Sequence, residues 1–316
     1  MLNCEDMIEN SDKSACIATV GFFDGVHAGH RYLIDELKLL ARSKNLKSMV
    51  ITFSKHPRKV LNSEYQPQLL TSLSEKIAQL NSTGIDECVV LDFNLELAQL
   101  SAYDFLKTVL KEQFHVTTLL VGHDHRFGHN RNEGFDEYKK YGDMLGIDVI
   151  QAQRFNTDEN QHISSSEIRL ALDRGNIELA NTLLTYPYSF EGRVTNGFKI
   201  GRKIGFPTAN LVPLDADKLM PPFGVYAVRV FWNGSIYAAM MNIGTRPTLD
   251  NSYHVTNEVH ILDFNQDIYN QTIKVEFLHK IRDEKKFNGI DELIAQLSND
   301  RETVIKMNLN TENLNN

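Results

Sequence analysis

Two histidines three residues apart, His27 and His30, close the run Gly21-Phe22-Phe23-Asp24-Gly25-Val26-His27-Ala28-Gly29-His30. The apolar segment Ala15–Val20 before it reads as a buried strand, and Leu33, Leu37 and Leu40, with Ile34 and Ala41, follow at helical spacing. A glycine-broken turn between strand and helix presents backbone N–H groups and a helix N-terminus, and both attract phosphate. Gly21, Gly25 and Gly29 let the backbone approach a ligand closely, with Phe23 and Asp24 between them. In displacement at phosphorus, negative charge builds on the bridging oxygen of the leaving group. An imidazole can donate a hydrogen bond or a proton there without holding a permanent charge. A turn with two incidental histidines is the plainer reading, and the run alone leaves it open.

A second polar focus lies in the other half, at Gly201-Arg202-Lys203-Ile204-Gly205-Phe206-Pro207-Thr208-Ala209-Asn210-Leu211. The GxxxxGK[ST] order is absent, so this is no Walker loop. Alternate residues of a strand share a face, so Thr208 and Asn210 can point together at one metal-bound phosphate, and both offer oxygen ligands suited to magnesium. Glu258 falls inside the apolar stretch 257–264, where an unpaired carboxylate is costly. It is either ion-paired or a base for a substrate hydroxyl, as in a kinase. Arg282, after the last expected strand, can steady a phosphate or pair with an acid.

The elements that must position these groups fall into two patterns. In the first half, strands at Ser48–Phe53, Glu87–Leu91, Thr118–Val121 and Asp148–Ile150 alternate with helices at Ser74–Leu80, 134–145 and Ser101–Phe114, the last capped by Ser101. Such alternation predicts a doubly wound parallel sheet, whose ligands lie beyond the carboxyl ends of the strands. Three unusual loops share that edge: the His27/His30 loop, the loop with His56, Pro57 and Arg58, and the loop with Asp124, Arg126 and Phe127. Ser164, Ser165 and Ser166 then open a helix, either as a plain cap or as a phosphate site, with Arg169 one turn in. His123, His125 and His129 lack the cysteine or carboxylate partners of a structural zinc site, and Asp124 and Arg126 suit a place beside phosphate and magnesium. After Tyr186-Pro187-Tyr188 the pattern changes to Phe190–Val194, Val225–Trp232, Ser235–Asn242, Glu258–Leu262 and Ile273–Ile281, with the hairpin signal Asn233-Gly234. This predicts an antiparallel barrel and a C-terminal helix from about Ile290 to Met307, hence domains at 1–185 and 186–316.

The chain has 316 residues, a net charge of −8 and 42% hydrophobic residues, those of an ordinary globular protein. Its acidity and lack of basic blocks argue against a nucleic-acid partner. No segment suggests a signal peptide or a membrane span. Cys4, Cys16 and Cys88 form no CxxC pair, which suggests a reducing cytoplasm.

The His-x-Gly-His pattern resembles the HxGH nucleotidyltransferases, with a Rossmann-like sheet. The resemblance becomes specific through Thr52-Phe53-x-x-His56-Pro57, Gly122-x-Asp124-x-Arg126-Phe127-Gly128 and Ser164-Ser165-Ser166-x-Ile168-Arg169. These are similar to the FMN adenylyltransferase module of the bacterial bifunctional riboflavin kinase/FAD synthetase family. Gly201–Leu211, Asn242-Ile243-Gly244-x-Arg246-Pro247-Thr248, Glu258-x-His260-Ile261-Leu262-Asp263-Phe264 and Ile281-Arg282-Asp283-Glu284-x-x-Phe287 resemble its riboflavin kinase module. The chain departs from the pattern at Ser54-Lys55, His125 and Ser166.

The resemblance implies phosphorylation of riboflavin to FMN by ATP in the barrel and adenylylation of FMN to FAD, with release of pyrophosphate, in the sheet. It implies Glu258, His27 and His30 as catalytic. ATP or phosphate would meet Gly21, Phe23, Asp24, Gly25, Gly29, Ser164, Ser165, Ser166, Arg169, Gly201, Arg202, Gly205 and Pro207. Flavin would meet His56, Pro57, Asp124, Arg126, Phe127 and Arg282, and Thr208 and Asn210 would hold Mg²⁺. The partners implied are riboflavin, FMN and ATP, in a cytoplasmic enzyme without nucleic-acid or membrane partners, its oligomeric state, monomer included, left open. A cytidylyltransferase-type HxGH enzyme and a non-catalytic flavin-binding regulator are the alternatives.

Overall fold

The structure, a computed structural model, describes residues 14–61, 67–123, 125–129, 132–155, 163–197, 200–247, 253–307 and 309. The chain divides after Ser164 into two compact units.

The first unit runs β1 (Cys16–Val20), α1 (Ala28–Lys44), β2 (Lys47–Phe53), α2 (Pro57–Leu61), α3 (Leu73–Asn81), β3 (Glu87–Leu91), α4 (Leu95–Gln99), α5 (Ala102–Asp104), β4 (Val116–Val121), α6 (Phe135–Leu145) and β5 (Asp148–Gln151). The strands form one parallel sheet in the order β3-β2-β1-β4-β5. Successive residues of β1 serve opposite faces. Ile17 packs with Ile34, Leu37 and Ala41 of α1, while Cys16, Ala18 and Val20 pack with Met49, Ile51 and Leu106. Both faces are therefore covered, which explains why the strands read as continuous apolar runs. The order of strands reverses between β1 and β4, so a crevice opens where the loops after these two strands part.

One expected helix differs. Ser101 caps as anticipated, accepting from Asp104 N, but α5 runs on as a π-helix over Phe105–Gln113. Its last turn closes from Phe114 N to Val109 O at 3.2 Å. The wider winding buries Phe105, Leu106, Val109 and Leu110 together.

The second unit runs α7 (Ser165–Asp173), α8 (Ile177–Leu184), β6 (Ser189–Thr195), α9 (Ile200–Lys203), β7 (Ala209–Pro213), β8 (Gly224–Trp232), β9 (Ser235–Pro247), β10 (Tyr253–Ile261), β11 (Thr272–Arg282) and α10 (Ile290–Lys306). Its strands close an antiparallel barrel in the order β10-β7-β6-β11-β8-β9. The strand expected to carry Thr208 and Asn210 is β7, which begins at Ala209 and so carries Asn210 alone of the two. Closure leaves no unpaired edge. The hairpin between β8 and β9 turns at Asn233 and Gly234, both at positive φ (49° and 77°), as a two-residue turn of the primed type requires. The helix pair α7–α8 belongs with the barrel because Asn181 bridges to it. Its Nδ2 donates to Phe277 O at 2.9 Å, and its Oδ1 accepts from Tyr188 N at 2.7 Å.

The barrel is fastened to α10 by a buried ion pair. Arg282 Nε and Nη2 reach Asp300 Oδ2 at 3.0 and 2.8 Å, and Asp300 is 1% exposed. Of the two readings of Arg282, this is pairing with an acid. Removing one partner leaves the other charge buried, which costs about 3–5 kcal/mol. Asp300→Ala is therefore expected to destabilise the barrel by about that amount, read from denaturant unfolding followed by fluorescence of Trp232, the single tryptophan of the chain.

Candidate functional site

In the first unit the site grows out of the end of β1. Gly21 N donates to Ile51 O at 3.0 Å, and the chain then turns away from the sheet. Phe23 (φ 55°), Gly25 (φ 80°) and Val26 (φ 38°) all take left-handed backbone. For the β-branched Val26 this is a strained conformation. Asp24 holds it in place. Its carboxylate is 4% exposed and accepts from Leu70 N and Thr71 N, with Oδ1 at 3.0 and 3.1 Å, and from Thr71 Oγ1 at 3.2 Å. Gly25 N returns a bond to Thr71 Oγ1 at 3.1 Å. The 70–71 segment is itself fixed, because the next residue, Ser72, caps α3 in a reciprocal box with Glu75. Asp24, expected against phosphate, is therefore engaged in building the loop.

The loop delivers His27 to the N-cap of α1 and His30 to its first turn. The two rings stack with centroids 3.7 Å apart, 19° from parallel, and Phe23 meets His30 edge-on at 5.1 Å. Burial, His27, His125 and Lys76, in that order, hold His30 well below the usual imidazole range, so it is neutral at pH 7. Its Nδ1 has no hydrogen-bond partner among the described residues. A Cβ on Gly29 would touch the His27 ring at 3.4 Å and lie 3.8 Å from Ile163 O, so the chain leading into Ser164 passes this turn. Ser165, Ser166 and Arg169 lie in α7, within the second unit.

The neighbouring loops add aromatic and basic groups. His56 follows β2, meets Phe22 edge-on at 4.6 Å and accepts from Arg58 N through Nδ1 at 3.1 Å. Pro57 starts α2, where its missing N–H costs nothing. After β4, Phe127 stacks on Tyr138 at 4.1 Å, and Arg126 is exposed. Asp124 lies outside the described residues. Among those that are described, no three His, Cys, Asp or Glu side chains converge as a metal site. His129 is instead tied to Leu100 O through its backbone N–H at 2.9 Å.

In the barrel, Gly201 and Arg202 belong to the short helix α9, and Gly205 turns the chain at φ 82°. The Pro207 carbonyl accepts from His260 Nδ1 at 2.8 Å. This brings Thr208 to Glu258, where its Oγ1 donates to Oε2 at 3.3 Å. Thr208 lies just before β7 rather than on it, while Asn210, on β7, is the ladder partner of Glu258. On its other side Glu258 pairs with Asn242 of β9. Asn210, Glu258 and Asn242 thus form one row across three strands. Asn242 and Glu284 were not singled out from the sequence. Glu284 Oε1 and Asn242 Nδ2 both close on the space beside Gly244, where a Cβ would lie 3.1 Å from Asn242 Nδ2 and displace the end of the Glu284 side chain. Asn242 belongs to a quoted motif, but its place in the row follows from strand register. Arg202 reaches Tyr269 Oη at 3.3 Å on the surface.

The class defined by these features is a two-unit phosphotransfer protein: an HxGH-type α/β sheet with paired imidazoles at its switch point, and a barrel carrying a Thr–Glu–Asn row. Comparison with known proteins is specific. Residues 9–167 match the FAD synthetase family and residues 184–308 the riboflavin kinase family. The chain is 38% identical over 302 residues to the bifunctional riboflavin kinase/FMN adenylyltransferase of Bacillus subtilis (strain 168), covering 93% of each. It is 39% identical over 297 residues to that of Escherichia coli (strain K12), covering 94% of each. A solved structure titled a macrolide-efflux protein, from Streptococcus pneumoniae, superposes with a TM-score of 0.85 at 34% identity, over 96% of this chain and 97% of that one. The chain belongs to the bifunctional riboflavin kinase/FMN adenylyltransferase family. No helix among the described residues is long and apolar enough to cross a membrane.

The Asp24 clamp makes a stability prediction. Asp24→Asn turns an acceptor toward backbone N–H groups into a mixed donor, at a cost of about 1–3 kcal/mol. Amide hydrogen exchange at Leu70, Thr71 and Gly25 is expected to accelerate in this variant, while exchange in the barrel strands stays as it is.

Proposed function

We propose that the two units divide the two reactions: ATP-dependent phosphorylation of riboflavin in the barrel, and transfer of AMP from a second ATP to FMN in the sheet. The observation that supports this most is that two polar pairs assemble, one in each unit: His27 on His30 at the carboxyl edge of the sheet, and Thr208 on Glu258 at the barrel row. The division follows the family matches at 9–167 and 184–308.

In the barrel, Glu258 accepts the proton of the terminal ribityl hydroxyl as its oxygen attacks the γ-phosphorus of ATP. Thr208 orients that carboxylate. Thr208 and Asn210 offer the hard oxygen donors that suit Mg²⁺, and they would hold it with ATP, where it supplies neutralising charge. Gly201, Arg202, Gly205 and Pro207 line the approach of the nucleotide. In the sheet, the FMN phosphate is already an anion and needs no strong base. His27 and His30 donate to the oxygens on which pyrophosphate charge develops. His56, Pro57, Arg126 and Phe127 face flavin. The enzyme works in the cytoplasm on small molecules alone.

Glu258→Gln is expected to lower FMN formation about 10²- to 10⁴-fold, the range of general-base catalysis, and to leave adenylylation of supplied FMN close to wild type. Replacing His27 and His30 by Ala is expected to do the reverse. Separating products after incubation with riboflavin or FMN and Mg–ATP reads both. Loss of both activities in either folded variant would end the division of labour.

A further inference from the structure

Helix α6 turns Tyr138, Gly142 and Leu145 to the core, so the sequence drives a phenol into an apolar setting. Tyr138 is 0% exposed, among the largest fully buried side chains of the protein. A buried hydroxyl is costly unless its hydrogen bonds are made, and here three go to the loop after β4. Tyr138 Oη accepts from Phe127 N at 2.9 Å. Its single proton lies between two carbonyls, Glu133 O at 3.0 Å and Phe127 O at 3.1 Å. The ring itself stacks on that of Phe127, centroids 4.1 Å apart and 14° from parallel. One side chain of α6 therefore holds the loop at both Phe127 and Glu133.

The same loop is met from a second direction. His129 N donates to Leu100 O at 2.9 Å. Gly128 (φ 92°) lies so near Ala102 that a Cβ would come within 2.8 Å of its backbone N. Phe105, the first residue of the π-helix, tilts against the Phe127 ring at 5.6 Å. Within this frame Phe127 is half-buried and Arg126 beside it is exposed.

We propose that Tyr138 is a positioning residue for FMN in adenylyl transfer: its hydroxyl sets the loop after β4 so that Arg126 and Phe127 are in place before the substrate arrives. The proposal rests on the reading that this loop faces flavin. A long exposed side chain is aimed by its backbone. Here the N–H and the C=O of Phe127 both bond one oxygen, which fixes the chain where the ring and the preceding guanidinium leave it. A loop that holds its binding arrangement only part of the time weakens apparent affinity by that fraction. Such a loss shows in KM and leaves the bound complex, hence kcat, as it was.

Tyr138→Phe keeps the ring and its stack and removes the one oxygen. In the full chain, KM for FMN in adenylylation is expected to rise about tenfold, the loop then being competent about a tenth of the time. KM for ATP and kcat are expected to stay at wild type, as are both constants of riboflavin phosphorylation. Exchange of the Phe127 amide is expected to be slow in wild type and to accelerate in the variant. A purely structural role gives another pattern: a smaller active fraction lowers kcat and leaves KM for FMN where it was, and that result overturns the proposal. A wild-type Phe127 amide that exchanges as fast as an unprotected one overturns it with no variant, which decides the matter should Tyr138→Phe not fold. Arg126→Ala, at an exposed side chain, checks the underlying reading by itself. A raised KM for FMN there, with an unchanged one in Tyr138→Phe, removes the role of Tyr138 and keeps the flavin assignment. An unchanged KM in both removes the assignment of this loop to flavin.

Discussion

The carboxylate of Asp24 is the interaction on which the adenylyl-transfer half depends. The turn after β1 must leave the sheet edge and re-enter as α1 within seven residues, Gly21 to His27. It does so through left-handed Phe23 and Val26, conformations that cost about 1–3 kcal/mol each and persist only where the surroundings impose them. The donors at Leu70 and Thr71 impose them. The same two residues lead into the Ser72 capping box, so the clamp also fixes where α3 starts and hence where Lys76 enters the core. The stacked imidazoles, the buried ammonium and the strained backbone are three consequences of one anchoring point.

The barrel reaches a different solution with the same residue class. Glu258, like Asp24, sits in an otherwise apolar frame. Asp24 is almost wholly shielded and takes main-chain donors, which marks a carboxylate committed to shape. Glu258 is half-buried, takes a hydroxyl from Thr208, and has amide side chains on both neighbouring strands. Strand register produces that setting: β7 and β9 each place an asparagine opposite Glu258, and closure of the barrel makes that register unique.

Much of this was legible in the chain. The alternation of apolar strands with helical stripes predicted the parallel sheet, because both faces of β1 had to be covered. Asn233-Gly234 predicted its hairpin, because both residues accept positive φ. The His27/His30 spacing predicted two rings at one turn. What was not legible depended on partners far along the chain. Asp24 meets residues 46 positions away, which no local pattern announces. The π-helix after Asp104 escaped because its apolar spacing also fits an α-helix. The Asn210–Glu258–Asn242 row escaped because it depends on the register between strands distant in the chain, which no local pattern states.

The chemistry proposed for the two units accounts for why their polar centres differ. A ribityl hydroxyl is a poor nucleophile until its proton is accepted, so the kinase reaction calls for a carboxylate at hydrogen-bond range and a partner to aim it, which is what Glu258 and Thr208 offer. The phosphate of FMN is already charged, so a second carboxylate beside it would only repel it. The adenylylation reaction calls instead for donors that tolerate anions without trapping them in the ground state. Stacked imidazoles, with His30 held neutral by burial, meet that requirement, and the one acid in their loop, Asp24, is taken up by its bonds to Leu70 and Thr71. On this view the burial of Asp24 is as much an electrostatic condition for catalysis as a mechanical one.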